Sequence, residues 1–376
     1  MATVGAQSCG VYHRYNIMAK LDAFFQLMVD QGASDLHLVS GSQPILRVHG
    51  ELQRVRYAVL DNDDLKKMLY EVAPEYKIKL FEETGDIDFA YEIPGLARYR
   101  ANYFEQKYGV GAVFRQIPDT ILTTDQLGFP SVLNKLPLFP KGLVLVTGPT
   151  GSGKSTTLAA LVDYANTHRK DHILTIEDPV EFVHKCRNCI VNHREVGTHT
   201  RSFAAALRAA LREDPDIIMV GEMRDLETIS LAVEAASTGH LVFGTLHTQS
   251  AAKTVDRIID VFPHDQQEQI RATLADSLQA VVAQTLFKRR DTKGRCPALE
   301  ILFATPAVRN LVRDGKTFQI PTVLQTGKKY GMQSLDDAIL EHLEKGRISA
   351  EDAYLHCLDK TRFRTFLRNV SDEDLF

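Results

Sequence analysis

Leu143-Val144-Leu145-Val146-Thr147-Gly148-Pro149-Thr150-Gly151-Ser152-Gly153-Lys154-Ser155-Thr156 is the stretch whose reading decides the fold. Four consecutive apolar residues predict a strand buried on both faces. Residues 148–155 satisfy G-x-x-x-x-G-K-[ST], and residues 158–167 continue as a helix, which is the strand–loop–helix context that gives the motif its meaning. Glycines let successive backbone N–H groups turn inward around phosphate oxygens, and the helix amino terminus adds a positive dipole end. Lys154 supplies a point charge for the β- and γ-phosphates, and the Ser155 hydroxyl suits Mg²⁺. The whole loop, Gly148, Pro149, Thr150, Gly151, Ser152, Gly153, Lys154, Ser155 and Thr156, is therefore expected to hold ATP with Mg²⁺.

Outward from this loop, further apolar runs at 172–176, 217–220 and 241–243 alternate with helical stretches, which implies an α/β fold with a mostly parallel sheet covered on both faces. The last hundred residues read as mostly helical, with Ser334-x-x-Asp337 and Ser349-x-x-Asp352 as helix starts. Upstream, Leu21, Phe24, Phe25 and Met28 follow helical spacing and Gly32 stands where that helix would end. Strands are expected at 35–39, 45–48, 87–93, 98–104 and 109–115, with a helix through Leu65, Met68, Leu69 and Val72 that breaks near Pro74 and resumes to Gly85. These make a small α+β domain over 18–117. Residues 118–141, with Pro118, Pro130, Pro137 and Pro140 around a short helix-like stretch, read as a linker, and 142–376 as the second domain. Residues 1–17 show no periodicity and precede the amphipathic pattern; they are read as a disordered extension.

The composition of the 376 residues, 44% hydrophobic and 24% charged, excludes general disorder, and a formal net charge of -4 lacks the basic footprint of a nucleic-acid binder. Five scattered cysteines make no disulfide framework, and no run reaches the ~18 apolar residues of a spanning helix. A cytoplasmic protein without a transmembrane segment is expected. Cys186-x-x-Cys189, with His184 and His193 nearby, is a single pair, whereas structural zinc takes four protein ligands.

Binding and hydrolysis are separate claims, so the strand-end residues matter. Asp216-Ile217-Ile218-Met219-Val220-Gly221-Glu222 is an apolar strand ending in an acid, with glycine where an Mg²⁺-binding aspartate would be expected. Glu222 is the best candidate to orient or deprotonate the attacking water. Glu177 and Asp178 end another strand, where ligands of a parallel sheet bind, and would reach the metal through water. His247 ends a third and would sense the γ-phosphate. Arg98, Arg100 and Arg115 are candidates for the extra positive charge that phosphoryl transfer rewards.

The order of these motifs resembles the secretion and type IV pilus ATPases, and within them the PilT-type retraction, or twitching-motility, branch. The likeness runs from Met18 to the carboxyl end and rests on Ser34-Asp35-Leu36-His37-Leu38, the phosphate loop, the acidic box at 175–182, the variant second motif at 214–225 and the histidine box at 237–248. It implies a PAS-like amino-terminal domain, a RecA-like ATPase domain and a homohexamer. That ring would act peripherally at the inner membrane, on a pilus platform protein and beside a paralogous ATPase. It also implies Glu222 as the catalytic glutamate, Gly221 as normal for the motif, Arg100 and Arg115 as the charge-stabilising pair, and His247 near the γ-phosphate. Arg208 and Arg212 match a basic helix near the nucleotide or a subunit interface. Extension and secretion ATPases of the same architecture usually carry four cysteines after the histidine box; only Cys296 and Cys357 follow here. The retraction-type helix reads Ala307-Val308-Arg309-Asn310-Leu311-Val312, with two Ile-to-Val departures. An extension or secretion ATPase, a RecA-like nucleic-acid motor and a nucleotide-gated adaptor are the alternatives.

Overall fold

The structure, a computed structural model, describes residues 20–367 except 49 and 119. The expected extension at 1–17 lies outside the described residues. The chain forms two compact units that divide after Asp119.

The first unit begins with α1 (Asp22–Asp30), whose Phe24, Phe25 and Met28 are buried, and Gly32 follows it at φ +60°. Then come β1 (Ala33–Val39), β2 (Ile45–Val48), β3 (Glu51–Arg54), α2 (Asn62–Tyr70), α3 (Glu75–Thr84), β4 (Asp86–Ile93), β5 (Ala97–Gln106) and β6 (Gly109–Ile117). The strands form one antiparallel sheet in the order β3-β2-β1-β6-β5-β4. Strand periodicity sorts β5: Ala97, Tyr99, Ala101 and Tyr103 are buried, so Arg98 and Arg100 take the opposite face. The core is aromatic, with Phe25 against Tyr99 and Phe114 at centroid distances of 4.4 and 4.9 Å. The buried hydroxyls are satisfied, Tyr103 donating to Leu69 O at 3.0 Å. Strand β3 was not expected; all four of its residues are exposed, so it carries no hydrophobic signal.

The second unit has β7 (Gly142–Thr147), α4 (Lys154–His168), β8 (His172–Glu177), β9 (Ile190–Glu195), α5 (Phe203–Ala210), β10 (Ile217–Val220), α6 (Leu226–Thr238), β11 (Leu241–Leu246), α7 (Ala251–Asp260) and α8 (Gln267–Ser277). It continues with β12 (Leu278–Lys288), β13 (Arg295–Phe303), α9 (Pro306–Arg313), α10 (Ile320–Thr326), α11 (Leu335–Glu344), α12 (Ala350–His356) and α13 (Lys360–Arg364). The sheet order is β13-β12-β7-β11-β10-β8-β9, every pair parallel except β12 with β13. Val144 and Val146 pack towards Leu158 and Leu161 of α4, whereas Leu143 and Leu145 pack towards α6 and α8, so both faces are covered as the continuous apolar run demands.

Two expectations are corrected. Residues 120–141 are not a free linker: Phe129, Leu133 and Leu136 are buried in the core beneath α4, because apolar residues spaced along a short 3₁₀ helix at Ser131–Leu138 form a packing face. The last hundred residues are not helical from their start, since β12 and β13 occupy 278–303 and extend the sheet; the helical region begins at α9. Within it Ser334 and Ser349 accept from the backbone N–H of Asp337 and Asp352, which are the capping bonds the spacing predicts.

Candidate nucleotide site

The order β7-β11-β10-β8 brings four strand ends together at the carboxyl edge of the sheet. The phosphate loop follows β7, His247 follows β11, Gly221 and Glu222 follow β10, and Glu177 closes β8. The loop needs its glycines. Gly148, Gly151 and Gly153 lie at φ +146°, +78° and +87°, where side chains are disfavoured. At Gly148 a Cβ would also stand 2.3 Å from the Gln284 carbonyl oxygen. Gly151 has open space around it, as a loop that wraps an anion requires. Lys154 begins α4, and its Nζ donates to the carbonyl oxygens of Gly148 and Pro149 at 3.0 and 3.1 Å. Burial pulls the Lys154 ammonium below its ordinary range, against the raising influence of the Glu222 and Glu181 carboxylates. The side-chain oxygen of Ser152 is buried without a hydrogen-bond partner in the protein, an orphaned polar group inside the cradle.

Glu222 and His247 meet. His247 Nε2 donates to Glu222 Oε1 at 2.7 Å, and Arg224 Nε donates to the same oxygen. A carboxylate only accepts, so the imidazole proton sits on Nε2. Both bonds fall on Oε1, which leaves Oε2 to accept from water. Gly221 has a steric reason: a Cβ there would lie 3.2 Å from Ile176 O and 3.3 Å from Glu177 Cα, tight against the end of β8.

Glu177 is buried, and its Oε2 accepts the Glu181 N–H at 3.2 Å. With Ser155, Gly221 and His184 it lines a cavity of about 20 Å³, room for one water-sized guest. Ser155 and Glu177 bring a hydroxyl and a carboxylate to the lining of that space, the oxygen-donor type that Mg²⁺ takes. Asp178 is exposed and acts on Arg224 by charge.

In the first unit Arg100 and Arg115 are direct register partners on β5 and β6. Like charges set opposite one another on a sheet are unfavourable, and here each arginine has a carboxylate partner that offsets the repulsion. Both are exposed; Arg100 Nε lies 3.6 Å from Asp88 Oδ1, and Arg115 Nε donates to Asp35 Oδ1 at 2.8 Å. Asp35 itself is buried and also accepts from Ser34 at 2.7 Å. Burial pushes its carboxyl up, but the bonds from Ser34 and Arg115 outweigh that and hold it below the usual range. Arg98 is mostly buried, 3.5 Å from Glu92, which sets it apart from the other two. In the second unit Arg208 pairs with Glu227, and Arg212 is exposed.

Cys186 and Cys189 serve the backbone: Cys186 Sγ accepts from Val191 N at 3.3 Å and Cys189 Sγ from Asp171 N at 3.4 Å. His193 bonds Thr175 Oγ1 at 2.8 Å. Among the described residues no group of three or more His, Cys, Asp or Glu could hold a metal. Sequence reasoning missed three residues. Arg224 shares Glu222, Asp35 fixes Arg115, and Gln284 braces the phosphate loop. The last was detectable only as a lone polar residue in an apolar run.

Residues 124–354 match the Type II/IV secretion system protein family. The chain is 54% identical over 323 residues to the "Type IV pilus retractation ATPase PilT" of Pseudomonas aeruginosa, a match that covers 86% of this chain and 94% of that protein. It is 48% identical over 347 residues to a "Twitching motility protein" of Neisseria gonorrhoeae, across 91% and 92% of the two chains. A solved structure described as "Crystal Structure of the Pilus Retraction Motor PilT and Bound ADP" superposes at a TM-score of 0.86 with 43% identity, covering 93% of this chain and 99% of the other. A parallel sheet with a phosphate loop, the strand-end pair of Glu222 and His247, and likeness along almost the whole chain lead to one conclusion: the chain belongs to the Type II/IV secretion system protein family, in its PilT branch of P-loop ATPases.

Proposed function

We propose that the protein is an ATP-hydrolysing motor that works as a homohexamer and drives retraction of type IV pili at the inner-membrane base of the pilus machinery. The observation that carries the hydrolytic half is the bond from His247 to Glu222 beside the phosphate loop. The loop N–H groups and Lys154 bind the phosphates. Glu222, oriented by His247 and Arg224, holds the attacking water through Oε2 and draws its proton as the phosphoryl is transferred. Ser155, with Glu177 and Asp178 through water, would hold Mg²⁺, which when bound neutralises charge on the phosphates. Arg100 and Arg115 supply further positive charge to the phosphoryl group in flight, with Arg115 held by its bond to Asp35.

The retraction half rests on likeness to named retraction ATPases and on the absence of a four-cysteine set after His247. A deletion strain tests it. Cells that carry surface pili yet fail to twitch are expected, whereas cells without pili would mark an extension or secretion motor. No helix among the described residues is long and apolar enough to cross a membrane.

A further inference from the structure

Gln284 lies on β12, one residue beyond the last register pair of that strand with β7, Ala283 opposite Thr147. It is therefore level with Gly148, where the phosphate loop departs. Its side chain is buried, and both ends of its amide are used. Nε2 donates to Ser152 O at 2.5 Å, and Oε1 accepts from the Thr157 hydroxyl at 2.6 Å. These partners fix which end is which, because a carbonyl oxygen cannot donate. The loop is moulded closely on this residue. A Cβ at Gly148 would meet the backbone carbonyl oxygen of Gln284 at 2.3 Å, and one at Gly153 would meet the side-chain Nε2 at 2.9 Å.

We infer that Gln284 is a positioning residue for phosphate binding. It turns the Ser152–Gly153 peptide so that its N–H is presented to the nucleotide, and it holds the first turn of α4 in register with the loop. The argument rests on the ATPase reading of the site. A trans peptide is planar, so its C=O and the following N–H point in opposite directions. Anchoring Ser152 O to β12 therefore aims the Gly153 N–H away from β12, as one of the inward donors of an anion-binding loop. The bond to Thr157 fixes the same helical turn that carries Lys154 and Ser155, and Thr157 N also donates to Gly153 O at 3.0 Å. One side chain from a neighbouring strand thus sets both the backbone donors and the two functional side chains.

The test is titration of full-length protein with Mg–ADP, with ATPase kinetics and the melting temperature of nucleotide-free protein measured alongside. Gln284→Glu keeps the shape but sets a carboxylate oxygen against Ser152 O; Gln284→Met keeps the length and makes neither bond. Gln279→Ala is the control, since Gln279, on the same strand, bonds Lys141 O at 3.0 Å and Arg309 at 3.2 Å, away from the loop. Both Gln284 variants are expected to bind Mg–ADP about tenfold or more weakly, as for one lost hydrogen bond to a charged group. KM for ATP should rise more than kcat falls, with both variants folded, Gln284→Met melting closer to wild type than Gln284→Glu, which buries a charge, and Gln279→Ala binding normally. Folded Gln284 variants with the wild-type Kd would overturn the assignment. So would unfolding of both, or an equal loss in Gln279→Ala, because the assigned role is local. If the wild type itself neither bound nor hydrolysed nucleotide, the ATPase reading would fall instead.

Discussion

Glu222 Oε1 carries two donors, His247 Nε2 and Arg224 Nε, so the carboxyl group is held in one orientation with Oε2 left over. Removing one donor should weaken catalysis without emptying the site. His247→Ala is expected to lower kcat by about 10- to 100-fold with a small change in nucleotide affinity, since general-base geometry rather than binding is lost; equal loss in both would give His247 a binding role. Asp35 offers a second test at this scale. Its carboxyl is held below the usual range in the folded protein. A depressed folded value contributes stability above the unfolded pKa of about 3.9 and loses it as pH falls through the folded value. Asp35→Asn should therefore cost about 1–2 kcal/mol at pH 7. It should also flatten the loss of stability below about pH 4, read by urea unfolding from pH 3 to 7. The same variant should reduce kcat more than it raises KM, as Arg115 loses its anchor.

Among the elements, the approach of β10 to β8 explains a residue choice that the sequence alone made puzzling. Gly221 stands where a metal-binding aspartate was expected, and a side chain there would be tight: its Cβ would meet Ile176 O at 3.2 Å and Glu177 Cα at 3.3 Å, so the end of β8 would have to shift by a few tenths of an ångström. Gly221→Asp should destabilise the protein by about 1–3 kcal/mol, in the manner of an overpacked core, measured as a lower urea midpoint. The phosphate loop, β7, β8, β10 and β11 were legible because continuous apolar runs and glycine spacing are local signals. Strands β12 and β13 were not. The run Ala280-Val281-Val282-Ala283-Gln284 is short and apolar, and such runs suit a buried strand or a buried helix equally until a partner strand is known. Their omission hid Gln284, so the part of the site contributed by a neighbouring strand was invisible although every loop residue had been named. The pairing of Arg115 with Asp35 was hidden although both strands were expected, since only the register of β1 on β6 sets it.

Across the whole molecule, an antiparallel α+β unit bears the arginine pair and a parallel-sheet unit bears the phosphate loop, each with its own core. The division suits a motor, in which a phosphate-dependent rearrangement must be carried by rigid bodies. Steady-state ATPase activity of wild type and Glu222→Ala, with molar mass by light scattering in the same buffer, tests the central claim most directly. The account predicts a hexamer that hydrolyses ATP, and a variant that stays hexameric, still binds nucleotide and turns over about 10²- to 10⁴-fold more slowly. Undiminished turnover by Glu222→Ala, or a wild-type protein that binds ATP without cleaving it, would contradict the account.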